Sequence, residues 1–381
     1  MEPVSPTGQY FNSSVLSVGI LAVFESEIPI DDSPTMAMLT HTFLPINPRF
    51  SSIMVRDEHG VQQWKKVKVR LEDHVHIPVF PAGLPPESYD AYFQEYLSKI
   101  AMEHLPQSRP LWDIHIVKYP LKNAAGALVI RLHHSMGDGF SLMGALFSCL
   151  KRADDPSKML TFPSTSQSKP PQELGGVGIC GNFFTRLSSL YNTASDLAFS
   201  LLKSNFVEDD RTAVRSGTEG VEFRPMTIST VDFSLEHIKR VKSKLGGTIN
   251  DVISGIVFHG VRLYMQSSAH NSSDDDGRVT AMVLLNTRVI GQYQSVKEMM
   301  DPDAESPWGN QFGFLHVSVP PLSKKINGQD RPLEFVFKAR EMIQRKRNSL
   351  AVVLTGRILE LIRKIKGPEV RRICGGPYEI E

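Results

Sequence analysis

Tyr89, Tyr92, Phe93, Tyr96, Leu97 and Ile100 recur at the i, i+3, i+4, i+7 spacing that gathers apolar side chains on one helix face, and predict an amphipathic helix. Before it, the β-branched and apolar run Val15 to Phe24 reads as a buried strand. Trp64 to Phe80 alternates apolar and polar residues, as a half-exposed strand does. "LWDIHIVKY" and "ALVIRL" flank an Asn-Ala-Ala-Gly turn and predict a hairpin that ends at His133. A helix follows Gly139, with Met143, Leu146, Phe147 and Leu150 on one face. The second half repeats this mixture. "TISTVDF", "RVTAMVLLNTRVI" and "GFLHVSVP" read as strands, with Asn286 and Arg288 on one strand face. "SLEHIKRVKSKL", "TINDVISGIVFHGVRLYM" and the basic "EFVFKAREMIQRKRNSL" read as helices, the second with Thr248 as N-cap. The class is α/β.

Between the halves, Ala153 to Gly176 is rich in Pro, Ser and Lys and has no periodicity, so it reads as a linker. An amphipathic stripe follows, formed by Phe183, Leu187, Leu190, Ala194, Leu197 and Leu201. The expected division is 1–152, a linker region 153–222 with a helix over 183–202, and 223–381. A chain of 381 residues is long enough for two such domains.

Charge narrows the partners. Forty-two Lys and Arg nearly cancel forty-one Asp and Glu, so no net field argues for nucleic acid. Three scattered cysteines, Cys149, Cys180 and Cys374, make neither a disulfide framework nor a zinc site. The apolar run Ser14 to Phe24 is too short to span a bilayer and lacks a signal peptide's basic flank; no transmembrane helix is expected.

The chemistry concentrates in "RLHHSMGDGF", Arg131 to Phe140. Two imidazoles end a strand, where function gathers in α/β folds, and Gly137 and Gly139 leave the backbone around Asp138 free to turn. The bland reading is a packed histidine pair and a turn aspartate. A metal triad of His133, His134 and Asp138 is disfavoured, because adjacent side chains of an extended segment point to opposite faces. An imidazole acting as general base is preferred, since its pKa of about 6.5 lets it take and return a proton near neutrality.

These residues resemble a family. "HHSMGDG" fits the HHxxxDG signature of CoA-dependent acyltransferases. "PLW" (Pro110 to Trp112), "NDVISG" (Asn250 to Gly255), "EPVSP", "NPRFSS" (Asn47 to Ser52), "LLNTR" (Leu284 to Arg288) and "GNQFGF" (Gly309 to Phe314) are similar to the plant wax ester synthase/diacylglycerol acyltransferase group, a likeness running from about residue 2 to about residue 366. The resemblance implies two acyltransferase-like subdomains, each a mixed sheet packed with helices, with an active-site tunnel between them. It implies acyl-CoA as donor substrate, a fatty alcohol or diacylglycerol as acceptor, no cofactor and no metal. His134 would be the base and His133 its support. Asp138 would be structural and paired with an arginine, for which Arg288 is the candidate; Gly139 and Trp112 would support the corner. Asn250, Asp251 and Asn310 are candidates for holding the oxyanion or substrate, with helix capping an equal reading for the first two.

The group also implies peripheral association with the endoplasmic reticulum, a cytoplasmic location being the alternative; the stripe over 183–202 and the basic segment Lys338 to Arg347 are the candidate interfacial helices. The end "GPEVRRICGGPYEIE" does not look like the family's continuation, which predicts an incomplete second subdomain. No G-x-S-x-G elbow occurs and Cys149 has no evident base, so direct transfer without an acyl-enzyme is expected. The competing readings are a lipid-binding pseudoenzyme that pairs with a longer relative, and an acyltransferase with a non-lipid acceptor. The DFGWG motif of the latter plant group is absent.

Overall fold

A computed structural model describes residues 2–13, 17–58, 60–158, 160, 208–268, 277–286, 288, 295–301, 304, 307–322 and 331–347. The expected helix over 183–202 lies outside these residues. The chain falls into two compact units. The first is Met1–Pro170 with Pro225–Ser229 and Arg288–Gln311, and the second is Pro171–Arg224, Thr230–Thr287 and Phe312–Glu381. This differs from the expected 1–152, 153–222 and 223–381, because Arg288–Gln311 is gathered into the first unit by the contacts described below.

In the first unit β1 (Glu2–Pro3), β2 (Gly19–Ser26), β3 (Ser52–Arg56), β4 (Gln62–Lys66), β5 (Val75–His76), β6 (Trp112–Val117) and β7 (Gly126–His133) build two sheets. β1-β4-β3 is antiparallel; β2-β7-β6-β5 is antiparallel except for the parallel β5–β6 pair. The run Trp64 to Phe80 is therefore not one strand. Its start belongs to the first sheet and its end to the second, with a 3-10 turn at Leu71–Asp73 between them. The fully buried His74 fixes that switch: its Nδ1 lies 2.6 Å from the Trp112 carbonyl and its ring stacks on the Trp112 indole.

β6 is buried along its whole length. Trp112, Ile114 and Ile116 enter a core with Phe43, Phe50, Leu132 and Met136, while Val117 packs with Val129 and with Tyr89, Phe93, Leu97 and Ile100 of α1 (Pro86–Met102). The polar residues on that second face are mutually satisfied, as burial requires. Arg131 donates from Nε and Nη2 to Asp113 at 2.9 and 2.6 Å, and its Nη1 caps the end of α1 at the Ile100 carbonyl. Helix α2 (Gly139–Cys149) buries Leu142, Ala145 and Leu146; of the expected face Leu146 is buried and Met143 packs against the core, while Leu150 stands 44% exposed. Gly144 in α2 gives close passage to the short helix Val296–Met299: a Cβ there would lie 3.1 Å from Met299 Cε.

The second unit holds α3 (Leu235–Leu245), α4 (Ile249–Ser268), α5 (Pro332–Arg347) and the antiparallel pair β8 (Thr280–Asn286) and β9 (Phe312–Ser318). "TISTVDF" is not a strand. Ile228 packs against the α1 core, whereas Val231 and Phe233 are exposed, so the alternation meets no sheet among the described residues. Gly255 explains the glycine of "NDVISG": a Cβ would sit 2.6 Å from Val336 Cα, so only glycine lets α4 and α5 approach this closely.

Candidate active site at the end of β7

β7 stops where His133 pairs with Gly19, and the next residue donates from its backbone N–H to the Val18 carbonyl at 2.8 Å. A 3-10 turn, His134–Met136, then leads through Gly137 to Asp138, the N-cap of α2. Gly137 is extended, with φ 168°, and is needed for space: a Cβ would press to 3.2 Å on Ser141 Cβ. At Gly139 a Cβ would meet nothing within 4 Å, so its expected supporting role has no steric basis here.

The two histidines are held in different states. His133 is 2% exposed, and its Nδ1 accepts from the Ser135 backbone N–H at 3.2 Å. A backbone N–H only donates, so the His133 proton resides on Nε2, which faces Ser17 Oγ at 3.3 Å. Burial, then the neighbouring His134 and His104, push its pKa down to about 4. His133 is thus a neutral, fixed side chain.

His134 is half-buried and stands against the Phe11 ring, 4.8 Å between centroids. Its Nδ1 lies 3.0 Å from Asn310 Oδ1, while Asn310 Nδ2 donates to the His134 carbonyl at 2.9 Å. The second bond sets the amide's orientation: Nδ2 serves the carbonyl, so Oδ1 faces the ring and must receive a proton from Nδ1. The basic lone pair of the neutral ring then belongs to Nε2. Asn310 orients the imidazole, a different task from the oxyanion or substrate contact expected of it.

Asp138 is engaged by other groups. Its Oδ1 accepts from Ser141 N at 2.9 Å, and its Oδ2 from Arg288 Nε and Nη2 at 3.1 and 2.8 Å and from Gln311 N at 3.0 Å. Arg288 also donates to the carbonyls of Pro307 and Gly309 at 2.8 and 2.7 Å, and its side chain is wholly buried. The predicted pair therefore exists, and it ties the corner to the loop that carries Asn310.

Two residues without an assigned role complete the clamp. Met136 O accepts from Arg49 Nη1 at 3.0 Å and from Trp308 Nε1 at 2.8 Å, and Arg49 Nη2 reaches Glu2 at 2.5 Å. "EPVSP" and "NPRFSS" thereby converge on the corner; the signal available in the sequence was an arginine amid an apolar run, which does not reveal burial. Trp112, 0% exposed, donates from Nε1 to the Phe50 carbonyl at 2.9 Å and is a core residue. Asn250 and Asp251 belong to the second unit. Asp251 accepts from Thr248 N at 2.8 Å and returns a bond from its own N–H to Thr248 Oγ1 at 3.1 Å, a capping pair; Asn250 is exposed. Among the described residues no group of three or more His, Cys, Asp or Glu side chains could hold a metal ion.

Mixed sheets packed with helices are the fold shared with solved condensation domains. The starter condensation domain of rhizomide synthetase aligns with TM-score 0.50 at 11% identity, over 97% of this chain and 76% of that one. The wax ester synthase/diacylglycerol acyltransferase catalytic domain matches residues 12–253, and the C-terminal domain of the same family matches residues 308–374. The chain belongs to the wax ester synthase/diacylglycerol acyltransferase family and is an acyltransferase. The C-terminal match extends past residue 366 and into the segment that read as unlike the family. Among similar curated proteins, wax ester synthase/diacylglycerol acyltransferase 11 of Arabidopsis thaliana is 29% identical, over 96% of this chain and 76% of its own. Wax ester synthase/diacylglycerol acyltransferase 4 of the same organism is 27% identical, over 97% and 73%.

Proposed function

We propose that the protein transfers a long-chain acyl group from acyl-CoA to the hydroxyl of a fatty alcohol or a diacylglycerol, with His134 Nε2 as general base. The family supplies the reaction class, and the Asn310–His134 pair carries the assignment of the base. An alcohol attacks a thioester poorly until its proton begins to leave. His134 Nε2 takes that proton as the oxygen adds to the thioester carbon. The tetrahedral adduct collapses, the C–S bond breaks, and the proton passes to the departing CoA thiolate. Asn310 keeps Nδ1 protonated throughout, so the ring neither flips nor presents the wrong nitrogen. His133, neutral and fixed, backs the strand end, and the Asp138–Arg288 pair holds the shape of the corner. The reaction as written uses no cofactor beyond the CoA thioester.

Among the described residues no helix is long and apolar enough to cross a membrane. The proposed substrates partition into bilayers, which supports work at a membrane surface, that of the endoplasmic reticulum being the expected one. The test is an acceptor panel with labelled palmitoyl-CoA and either hexadecanol or dioleoylglycerol. Wild type yields labelled wax ester or triacylglycerol, and His134→Ala lowers kcat by about a hundredfold or more while retaining acyl-CoA binding. Equal turnover by the two proteins removes His134 as the base.

A further inference from the structure

In the second unit, the segment leading into α3 presents apolar side chains to solvent in close succession. Val231 is 71% exposed, Phe233 52% and Leu235 54%. Phe233 stands immediately before the Ser234 N-cap, the position whose apolar residue ordinarily folds back onto the fourth residue of the helix. That residue, Ile238, is buried with Val252 and Val336, while Phe233 stays half out of the protein. The chain thus carries an apolar tip that its own helix does not cover.

The helix behind the tip is basic. α3 carries Lys239, Arg240, Lys242 and Lys244 against a single acid, Glu236. Leu235, Lys239 and Lys242 occur at i, i+4 and i+7 and so share one face with the exposed leucine. The stripe about a quarter turn round the helix, Ile238, Val241 and Leu245, is already packed in the unit's core. Among the described residues no carboxylate pairs with any of the four cations. An apolar tip followed by lysines on the same face is the pattern that inserts shallowly between lipid headgroups, with the long cationic side chains reaching back to phosphates. Against a second copy of this chain the same arrangement would set cation against cation.

We infer that Val231, Phe233 and Leu235 with the basic face of α3 form the surface that docks on an anionic lipid bilayer. The inference rests on the lipid substrates proposed above and names the docking surface, which is neither the stripe over 183–202 nor the helix bearing Lys338–Arg347.

The experiment is co-sedimentation of the full chain with vesicles of phosphatidylcholine, alone or mixed with phosphatidylserine. Wild type binds the mixed vesicles more tightly and releases them as salt rises. The double variant Val231→Ser, Phe233→Ser weakens binding about tenfold or more. Lys239→Gln with Lys242→Gln weakens it also and flattens its salt dependence. Both variants retain wild-type turnover of a short-chain acyl-CoA with a short alcohol in vesicle-free solution, which reports intact folding. Failure of wild type to bind the mixed vesicles overturns the inference, as does binding unchanged by both variants. A wild-type dimer that the apolar double variant converts to monomer also overturns it, by making this face a self-interface. Vesicle binding that behaves as stated while lipid acceptors go unesterified leaves this surface standing and removes the proposed reaction instead.

Discussion

His133 and His134 are neighbours in sequence and opposites in chemistry, and the difference lies in what each Nδ1 meets. At His133 it meets a backbone N–H, which only donates; at His134 it meets an amide oxygen, which only accepts. Replacing Asn310 tests that logic. Asn310→Ala lowers kcat by about tenfold to a hundredfold with little change in KM, because the ring is freed to rotate. Asn310→Asp sets a carboxylate beside Nδ1, stabilises the imidazolium and moves the acidic limb of the kcat/KM profile to higher pH, since the base must be neutral to act. A profile that does not move in Asn310→Asp separates Asn310 from the reacting ring. His133 makes a prediction about stability. Its pKa is about 4 in the folded chain and about 6.5 unfolded, so the unfolded state takes up the proton first as pH falls. Stability is therefore unaffected above about pH 6.5, declines between there and about pH 4, and has by then lost on the order of 3 kcal/mol from this group. Urea midpoints at about pH 7 and pH 5 measure the decline, and His133→Gln makes it shallower.

At the level of elements, the corner is shaped by an ion pair whose partners are 150 positions apart. Removing one charge leaves the other buried, so Asp138→Ala and Arg288→Met each cost about 3–5 kcal/mol in denaturant unfolding. The double variant costs clearly less than the sum, and additivity of the two would show that the pair is not the unit that matters. This pair was legible because HHxxxDG and "LLNTR" are recognisable segments, even though no local pattern joins them. The hairpin β6–β7 and helix α1 were legible for a simpler reason: their periodicity is local and their burial follows it. The break within Trp64 to Phe80 was not, because alternation continues across the turn and only His74, folded onto Trp112, reveals that the two ends serve different sheets. "TISTVDF" failed for the converse reason, an alternating run with no sheet to receive it among the described residues.

Across the whole chain, the roles of Asn310, Trp308 and Arg49 could not be read from sequence, since each depends on a bond to a corner residue at least 87 positions away. The missing nucleophile elbow argues against a covalent route, and the one described cysteine points the same way. Cys149 lies near the end of α2, partly buried against the first unit's core, and burial pushes its thiol up to about 11. At neutral pH such a thiol is almost wholly protonated, and the thiolate is the nucleophile. The acyl group must then pass from CoA sulfur to acceptor oxygen without resting on the protein at this position. Labelled palmitoyl-CoA incubated without acceptor leaves no label on protein after denaturation, and Cys149→Ala retains turnover within about twofold. Label that survives denaturation and is released by hydroxylamine would establish an acyl-enzyme. His134 would then have to serve two half-reactions, activating first a protein nucleophile and later the alcohol, in place of direct transfer.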